Sequence, residues 1–186
     1  MKTLIKNILI FVAIIWGIYL IDFIIPFFDL NRFGIVPRTW SGLVGILLAP
    51  LLHGNIMHLI SNTLPLIVLL FILFKFYQEQ AMMVIILSVL IGGGLVWLMG
   101  RSASHIGASG LIYSLAAFNI TFGFLQKKIL NIIVSLVVVF LYGGLIWGVF
   151  PTRFYISWEG HLFGAIAGIF LAYMFNKKKG SSDEVL

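Results

Sequence analysis

The chain is dominated by apolar runs that are long enough, or nearly long enough, to cross a lipid bilayer as helices. About 20 apolar residues make one crossing, and a backbone in lipid must satisfy its hydrogen bonds within a helix or a closed barrel. Six runs occur, at about 7–25, 55–74, 80–99, 108–125, 129–150 and 160–176. They predict an all-α membrane protein with six transmembrane helices.

Composition agrees with a chain that lipid solvates. Of 186 residues, 61% are hydrophobic and 10% are charged, and the mean hydropathy is +1.13, whereas about a quarter of a soluble domain is charged. This length predicts a single membrane domain over residues 1–186. The absence of cysteine excludes disulfides, cysteine-bound zinc and a thiol nucleophile.

The net charge of +6 does not indicate nucleic-acid binding, because the basic residues lie at the ends of apolar runs. Such a pattern reports topology, since cytoplasmic segments are rich in Lys and Arg. With the N-terminus inside, the inner segments carry Lys2, Lys6, Lys75, Lys127, Lys128, Lys177, Lys178 and Lys179. The outer segments carry Arg32, Arg38, Arg101 and Arg153. We therefore expect both termini in the cytoplasm, with a cytoplasmic tail at 177–186.

Two segments near the N-terminus need their own interpretation. The first apolar run follows Lys2 and Lys6 as in a signal peptide, but no small-residue cleavage site closes it, so we expect a retained span. Residues 26–54 contain prolines and only short apolar patches, which predicts a long first outer loop partly embedded in the membrane. The compact chain, without an organelle-type presequence, favours a bacterial plasma membrane.

In this topology four polar residues come to a common depth. The second, fourth and sixth spans all run inward, so their first turns lie near the outer face. At 1.5 Å per residue, His58, Asn62, Ser109 and His161 fall within about one or two turns of one level. Polar groups at membrane depth are costly unless they are paired or meet water, so we expect a water-filled cavity open to the outer side.

Ser109 and His161 are the candidate nucleophile and base. A serine hydroxyl becomes nucleophilic when a base within hydrogen-bond reach takes its proton. Small residues four apart on the sixth span let another helix approach closely; they are Gly160, Gly164 and Gly168. Close approach there would bring Ser109 to His161. Tyr113, one turn after Ser109 on the same face, could stack on the imidazole.

Other ionisable residues are placed less well for this chemistry. His105 precedes Ser109 by four residues but falls in an outer loop, where we expect it to be structural or solvent-facing. Glu159 is the acid nearest to His161 and is expected in a loop, so a two-member dyad is favoured over a triad. The chain has no His-Glu-x-x-His motif, and we expect neither a metal nor a cofactor.

His58 and Asn62 are candidates for stabilising an oxyanion. They are spaced i, i+4 and so project from one face of the second span. Together with the backbone N–H of Ser109 they could form an oxyanion hole, in which each donor is commonly worth about 3–4 kcal/mol. Asn62 could instead only join helices by hydrogen bonding.

Three motifs in combination resemble the rhomboid family of intramembrane serine proteases. They are Gly-Ala-Ser-Gly-x-x-Tyr at 107–113, His-x-x-x-Asn at 58–62 and His-x-x-Gly-x-x-x-Gly at 161–168, in family order. The resemblance covers the whole chain and implies a six-helix rhomboid-like bundle. It also implies a serine endopeptidase that hydrolyses peptide bonds in or near the transmembrane segments of single-span membrane proteins.

The resemblance implies a role for each motif residue. Ser109 would be the nucleophile and His161 the general base. His58 and Asn62 would stabilise the oxyanion, and Gly107 would shape the oxyanion loop.

Further residues are implied to support this site. Tyr113 would hold the His161 ring, and Gly164 and Gly168 would let the sixth helix pack against the fourth. His53 resembles a structural histidine that many members carry ahead of the His-x-x-x-Asn motif. The Trp-Arg pair common in the first loop of the family is absent, and Arg38-Thr39-Trp40 is its nearest counterpart.

The sequence favours proteolysis by serine over three other functions. A catalytically inactive rhomboid relative would bind transmembrane helices, but such relatives have lost the serine or the histidine, and Ser109 and His161 are both present. A transporter would be expected to show an inverted repeat or intramembrane charge pairs, which the sequence lacks. An aspartyl protease needs two intramembrane acids, and only Asp22 lies near a span.

Overall fold

Helices form most of the chain, as the apolar runs predict. A computed structural model describes residues 2–25, 27, 29–151 and 157–183, with side chains as far as Lys177; Arg153, assigned above to the outer side, lies outside the described residues. The α-helices are α1 (Lys2–Ile24), α2 (Trp40–Leu48), α3 (Ile56–Phe76), α4 (Gln78–Met99), α5 (Ser109–Leu125), α6 (Ile129–Tyr142) and α7 (Trp158–Asp183). Short 3-10 helices occupy Leu30–Phe33, Ala49–Leu51 and Gly143–Val149.

Five helical segments of the described chain are long and apolar enough to cross a membrane: Lys2–Ile24, Ile56–Phe76, Gln78–Met99, Ile129–Val149 and Trp158–Lys177. The remaining predicted span, 108–125, forms α5, whose 17 residues extend about 25 Å. This length is at the lower end for a spanning helix. Helix α7 also continues to Asp183, past the predicted end of its run at 176.

The described residues between α1 and α3, which were expected to form a loop, include α2 and two short 3-10 helices. Thr39 caps α2, since its hydroxyl accepts a hydrogen bond from the backbone N–H of Gly42 (3.1 Å). The indole N–H of Trp97 in α4 donates to the carbonyl of Thr39 (2.8 Å), which ties the segment to the bundle. Helix α2 spans nine residues and leaves an apolar stripe exposed at Trp40, Val44 and Leu47.

Helix α5 is the centre of the bundle and packs against α3, α4, α6 and α7. Phe118 and Phe122 of this helix are fully buried, and the ring of Tyr77 meets both edge-on. Two polar side chains of α5 form hydrogen bonds inside the bundle. The hydroxyl of Ser114 lies 2.7 Å from that of Ser88, and the Asn119 amide donates to the carbonyl of Leu69 (3.3 Å).

Helices α5 and α7 approach each other through glycine. A Cβ on Gly164 would overlap the carbonyl oxygen of Gly110, and a Cβ on Gly168 would overlap that of Ser114. Gly164 also lies against α4, since a Cβ on Gly92 would come within 3.5 Å of its Cα. This close approach of backbones, predicted from the glycine spacing, brings the N-terminal ends of α5 and α7 side by side.

Candidate active site

Ser109 and His161, from different helices, are in hydrogen-bond contact. Ser109 is the first residue of α5, and His161 lies in the first turn of α7. The Ser109 Oγ is 2.9 Å from the His161 Nε2, within the range of a hydrogen bond. A hydroxyl in this position can donate its proton to the imidazole.

The other nitrogen of the His161 ring determines which tautomer is present. Its Nδ1 lies 2.9 Å from the carbonyl oxygen of Gly148, in the 3-10 helix that follows α6. A carbonyl only accepts, so Nδ1 carries the proton and Nε2 is left to accept from Ser109. The imidazole is 9% exposed, and the ring of Tyr113 stacks on it at a centroid separation of 4.2 Å and an angle of 4°.

His58 and Asn62 lie one turn apart on α3, beside the loop that leads into α5. Asn55 caps α3 by accepting the N–H of His58 (2.9 Å). The amide of Asn62 donates to the carbonyl of His58 (2.9 Å). An amide nitrogen carries two hydrogens, so Asn62 keeps a second donor for another partner.

Gly107 holds the loop before Ser109 in a shape that other residues rarely adopt. Its φ is +113°, a region that L side chains avoid and glycine does not. A Cβ at Gly107 would lie 2.6 Å from the Nε2 of His58, so the histidine ring fills the space beside the backbone. The N–H of Gly107 donates to the carbonyl of Ala49 (2.8 Å), which anchors the turn.

The N-terminus of α5 offers further donors. Ala108, its capping residue, makes no side-chain capping hydrogen bond, and the first N–H groups of a helix have no partner within the helix. An open cavity of about 770 Å³ adjoins this end. Its lining includes His58, Asn62, Ser109, Tyr113 and His161. The structure therefore brings all five of these predicted residues to one cavity.

Beside Ser109 and His161 lies a set of contacts that no sequence motif predicts. Glu159, expected in a loop, lies in the first turn of α7 with its side chain 3% exposed, and its Oε1 is 3.5 Å from the Nε of Arg101. Glu159 is helical because Ser157 caps α7: the serine hydroxyl accepts the N–H of Gly160 (3.3 Å).

His105 is 4% exposed and therefore structural rather than solvent-facing, with its Nδ1 2.6 Å from the Ser157 Oγ. Burial lowers the pKa of His105.

His53 is buried behind His58. The two rings meet edge-on, with centroids 5.0 Å apart. Burial, with a smaller contribution from the neighbouring His58, lowers the pKa of His53 to about 4, so this imidazole is neutral around pH 7. Over the part of the chain that the structure describes, no three His, Cys, Asp or Glu residues come together as a metal site would require.

Comparison with known proteins finds a matching family and several relatives. A family model described as Rhomboid domain matches residues 39–178. The uncharacterized protein Rv1337 of Mycobacterium tuberculosis (strain H37Rv) is 40% identical over 180 residues, covering 91% of this chain and 74% of that protein. The uncharacterized protein ML1171 of Mycobacterium leprae is 37% identical over 179 residues, covering 91% of this chain and 70% of that protein. No solved structure matches the chain significantly.

Proposed function

The chain belongs to the rhomboid family, and we propose that it is an intramembrane serine endopeptidase acting through Ser109 and His161. Members of this family are generally intramembrane serine proteases. The observation that carries the proposal is the 2.9 Å contact between Ser109 Oγ and His161 Nε2, with the ring oriented by Gly148 and Tyr113. The carbonyl of Gly148 fills the orienting place that an acid has in a triad.

The proposed reaction follows from this arrangement. The Ser109 oxygen attacks the carbonyl carbon of the scissile peptide bond while His161 Nε2 takes its proton. The peptide oxygen becomes negative and would be stabilised by His58, by the free hydrogen of the Asn62 amide and by the Ser109 N–H. His161 then gives its proton to the leaving amine, and a water molecule, activated by the same imidazole, hydrolyses the acyl-enzyme.

The proposed substrates are single-span membrane proteins, in keeping with the apolar surface of the bundle. Side chains such as Trp40 (88% exposed), Phe140 (88%) and Ile129 (80%) would be unfavourable in water and suit lipid. The protein is a multi-pass membrane protein. We propose further that α5 completes a sixth span, that segment 26–54 is partly embedded in the outer leaflet, and that both termini lie in the cytoplasm of a bacterial cell.

Labelling with a fluorescent fluorophosphonate tests the enzymatic proposal. The purified full chain in detergent is expected to label, and the Ser109→Ala and His161→Ala proteins are expected not to. Ser61→Ala is the matched control, because Ser61 lines the same cavity but bonds the carbonyl of His58 (2.9 Å) instead of an imidazole. Labelling that survives Ser109→Ala, or that is lost equally in Ser61→Ala, would contradict the proposal.

The orientation in the membrane can be tested separately, since the chain has no native cysteine. Ser102→Cys, in the loop before α5, should react with a membrane-impermeant maleimide added to intact spheroplasts. Lys127→Cys, in the turn between α5 and α6, should react only after permeabilisation. The reverse pattern would refute the proposed orientation and leave the chemistry of the site intact.

A further inference from the structure

A second hydroxyl–imidazole pair lies beside the proposed catalytic pair. In this second pair the histidine precedes α5 and the serine precedes α7, whereas in the Ser109–His161 pair the serine is on α5 and the histidine on α7. The Nδ1 of His105 is 2.6 Å from the Oγ of Ser157. His105 lies four residues before Ser109, and Ser157 lies four residues before His161. The loop leading into α5 and the start of α7 are therefore joined twice, by pairs that are each separated by 52 positions in the sequence.

The hydrogen bonds of the second pair fix the direction of each proton. His105 Nε2 lies 3.1 Å from the carbonyl oxygen of Arg101, which only accepts, so Nε2 carries the proton and Nδ1 accepts from the Ser157 hydroxyl. The Ser157 oxygen in turn accepts the N–H of Gly160 (3.3 Å). Since its proton is directed to His105, the serine oxygen is held in position to cap α7.

The capped turn carries His161. The N–H of His161 donates to the carbonyl of Ser157 (3.3 Å), so the two side chains are one helical turn apart. The ion pair between Arg101 and Glu159 holds the same turn to the same loop. A shift of Ser157 therefore moves the turn from which the His161 imidazole projects.

The backbone of His105, in the loop before α5, is itself anchored. The backbone of His105 forms an antiparallel bridge with Ile35, with N–H to carbonyl distances of 2.9 Å in both directions. Two residues later, Gly107 is bonded to Ala49. The His105 ring thus projects from a backbone fixed on the segment between α1 and α3, and it can transmit that position to α7.

We propose that His105 is a positioning residue for the Ser109–His161 pair, which acts by holding the Ser157 cap at the start of α7. This inference rests on the proposed function. It assigns His105 no contact with substrate and no proton transfer in the reaction. Loss of the His105–Ser157 contact should therefore slow the attack of Ser109 on a fluorophosphonate and leave the binding of that probe unchanged.

Saturation labelling with the fluorophosphonate separates the rate of attack from the binding of the probe, because it gives a maximal rate, kinact, and a binding constant, KI. In His105→Ala and in Ser157→Ala we expect kinact to fall about tenfold, as a misplaced base would cause, with KI within about twofold of the wild-type value. The double variant should fall no further than the single ones, since either change removes the same contact. His105→Asn should restore most of kinact, because its amide oxygen can accept from Ser157 near the place of Nδ1.

The control is Ser104→Ala, which removes the neighbouring hydroxyl, bonded to the carbonyl of Asn31 (3.3 Å), and should label like the wild type. Labelling is measured below the melting temperature of every variant, so that a loss of folded protein is not mistaken for a loss of rate. Undiminished kinact in folded His105→Ala, or losses that multiply in the double variant, would overturn the inference alone. A wild-type protein that does not label would overturn the proposed function and this inference with it.

Discussion

The hydroxyl of Tyr113 occupies the space in which residue 148 would place a Cβ, and the native residue there is glycine. The same Cβ would lie 3.1 Å from the Nδ1 of His161, whose proton the Gly148 carbonyl accepts. The end of the 3-10 helix after α6 is therefore packed directly onto the imidazole of His161 and onto the ring of Tyr113 that stacks against it. The orientation of His161 depends on the position of a segment outside both α5 and α7.

The change Gly148→Ala is expected to abolish most labelling by the fluorophosphonate. The added methyl group must displace Tyr113, His161 or the segment itself, and a displacement of about 1 Å can lower the rate about 100-fold. Gly144→Ala is the matched control, since a Cβ there meets nothing within 4 Å, and it should label normally. Equal labelling of the two variants would contradict the close packing of Gly148 against Tyr113 and His161.

Stacking by Tyr113 should affect rate rather than binding of the probe. Tyr113→Phe keeps the ring over His161 and is expected to label within about threefold of the wild type, whereas Tyr113→Ala should lose about tenfold or more in kinact. Phe118→Ala controls for lost volume, because Phe118 is buried in the same helix and has no ring contact with His161. Both truncations should lower the melting temperature, so a loss of kinact in folded Phe118→Ala as large as in Tyr113→Ala would contradict the stacking role.

The apolar runs predicted the bounds of α3 and α4 closely, whereas α1 and α7 extend past charged ends of their runs, to Lys2 and to Asp183. Helix α3 (Ile56–Phe76) and helix α4 (Gln78–Met99) begin and end within two residues of the predicted runs. The run at 129–150 gave no sign that α6 stops at Tyr142 and continues as a 3-10 helix. That change of helix type brings the Gly148 carbonyl to His161, and such a contact depends on tertiary packing rather than on local sequence.

The motif residues could be singled out from the sequence because each proposed chemical role restricts the residue type. Ser109, His161, His58 and Asn62 line one cavity, as their shared depth indicates, and Tyr113, one turn below Ser109, lines it too. The contact between His105 and Ser157 was not predicted, because Ser157 belongs to none of the three motifs and has no neighbouring pattern that would mark it as a partner. Their equal spacing from Ser109 and His161 becomes informative only once Ser109 and His161 are seen in contact.

Packing of α5 against α7 should respond sharply to one methyl group. In Gly164→Ala the new Cβ would overlap the carbonyl oxygen of Gly110, a backbone atom that cannot rotate away. Overpacking of this kind costs about 1–3 kcal/mol and would separate Ser109 from His161, so both the melting temperature and labelling should fall. Gly94→Ala, in α4, meets nothing within 4 Å and should keep or raise the melting temperature, because alanine is the better helix former by about 1 kcal/mol. Similar behaviour of the two variants would contradict a close contact at Gly164.

His53 should make the folded protein less stable as the pH falls. Its pKa is about 4 in the folded protein, mainly because the ring is buried, and about 6.5 in an unfolded chain. Between these values the unfolded chain binds the additional proton, so stability decreases as the pH falls from 6.5 towards 4, with a slope of up to about 1.4 kcal/mol per pH unit. Well above pH 6.5 both states are neutral at this residue and its contribution to the pH dependence disappears.

The change His53→Phe removes this titration and keeps a ring of similar shape against His58. The melting temperature of each protein, followed by tryptophan fluorescence in detergent, should be compared from pH 8 to pH 4. Carboxylates contribute to acid unfolding in both proteins, so the informative quantity is the difference between the two curves. That difference should be constant above pH 7 and should shift in favour of His53→Phe as the pH is lowered. Parallel curves over the whole range would mean that His53 takes up its proton in the folded protein as readily as in the unfolded chain. That result would contradict a pKa lowered by burial.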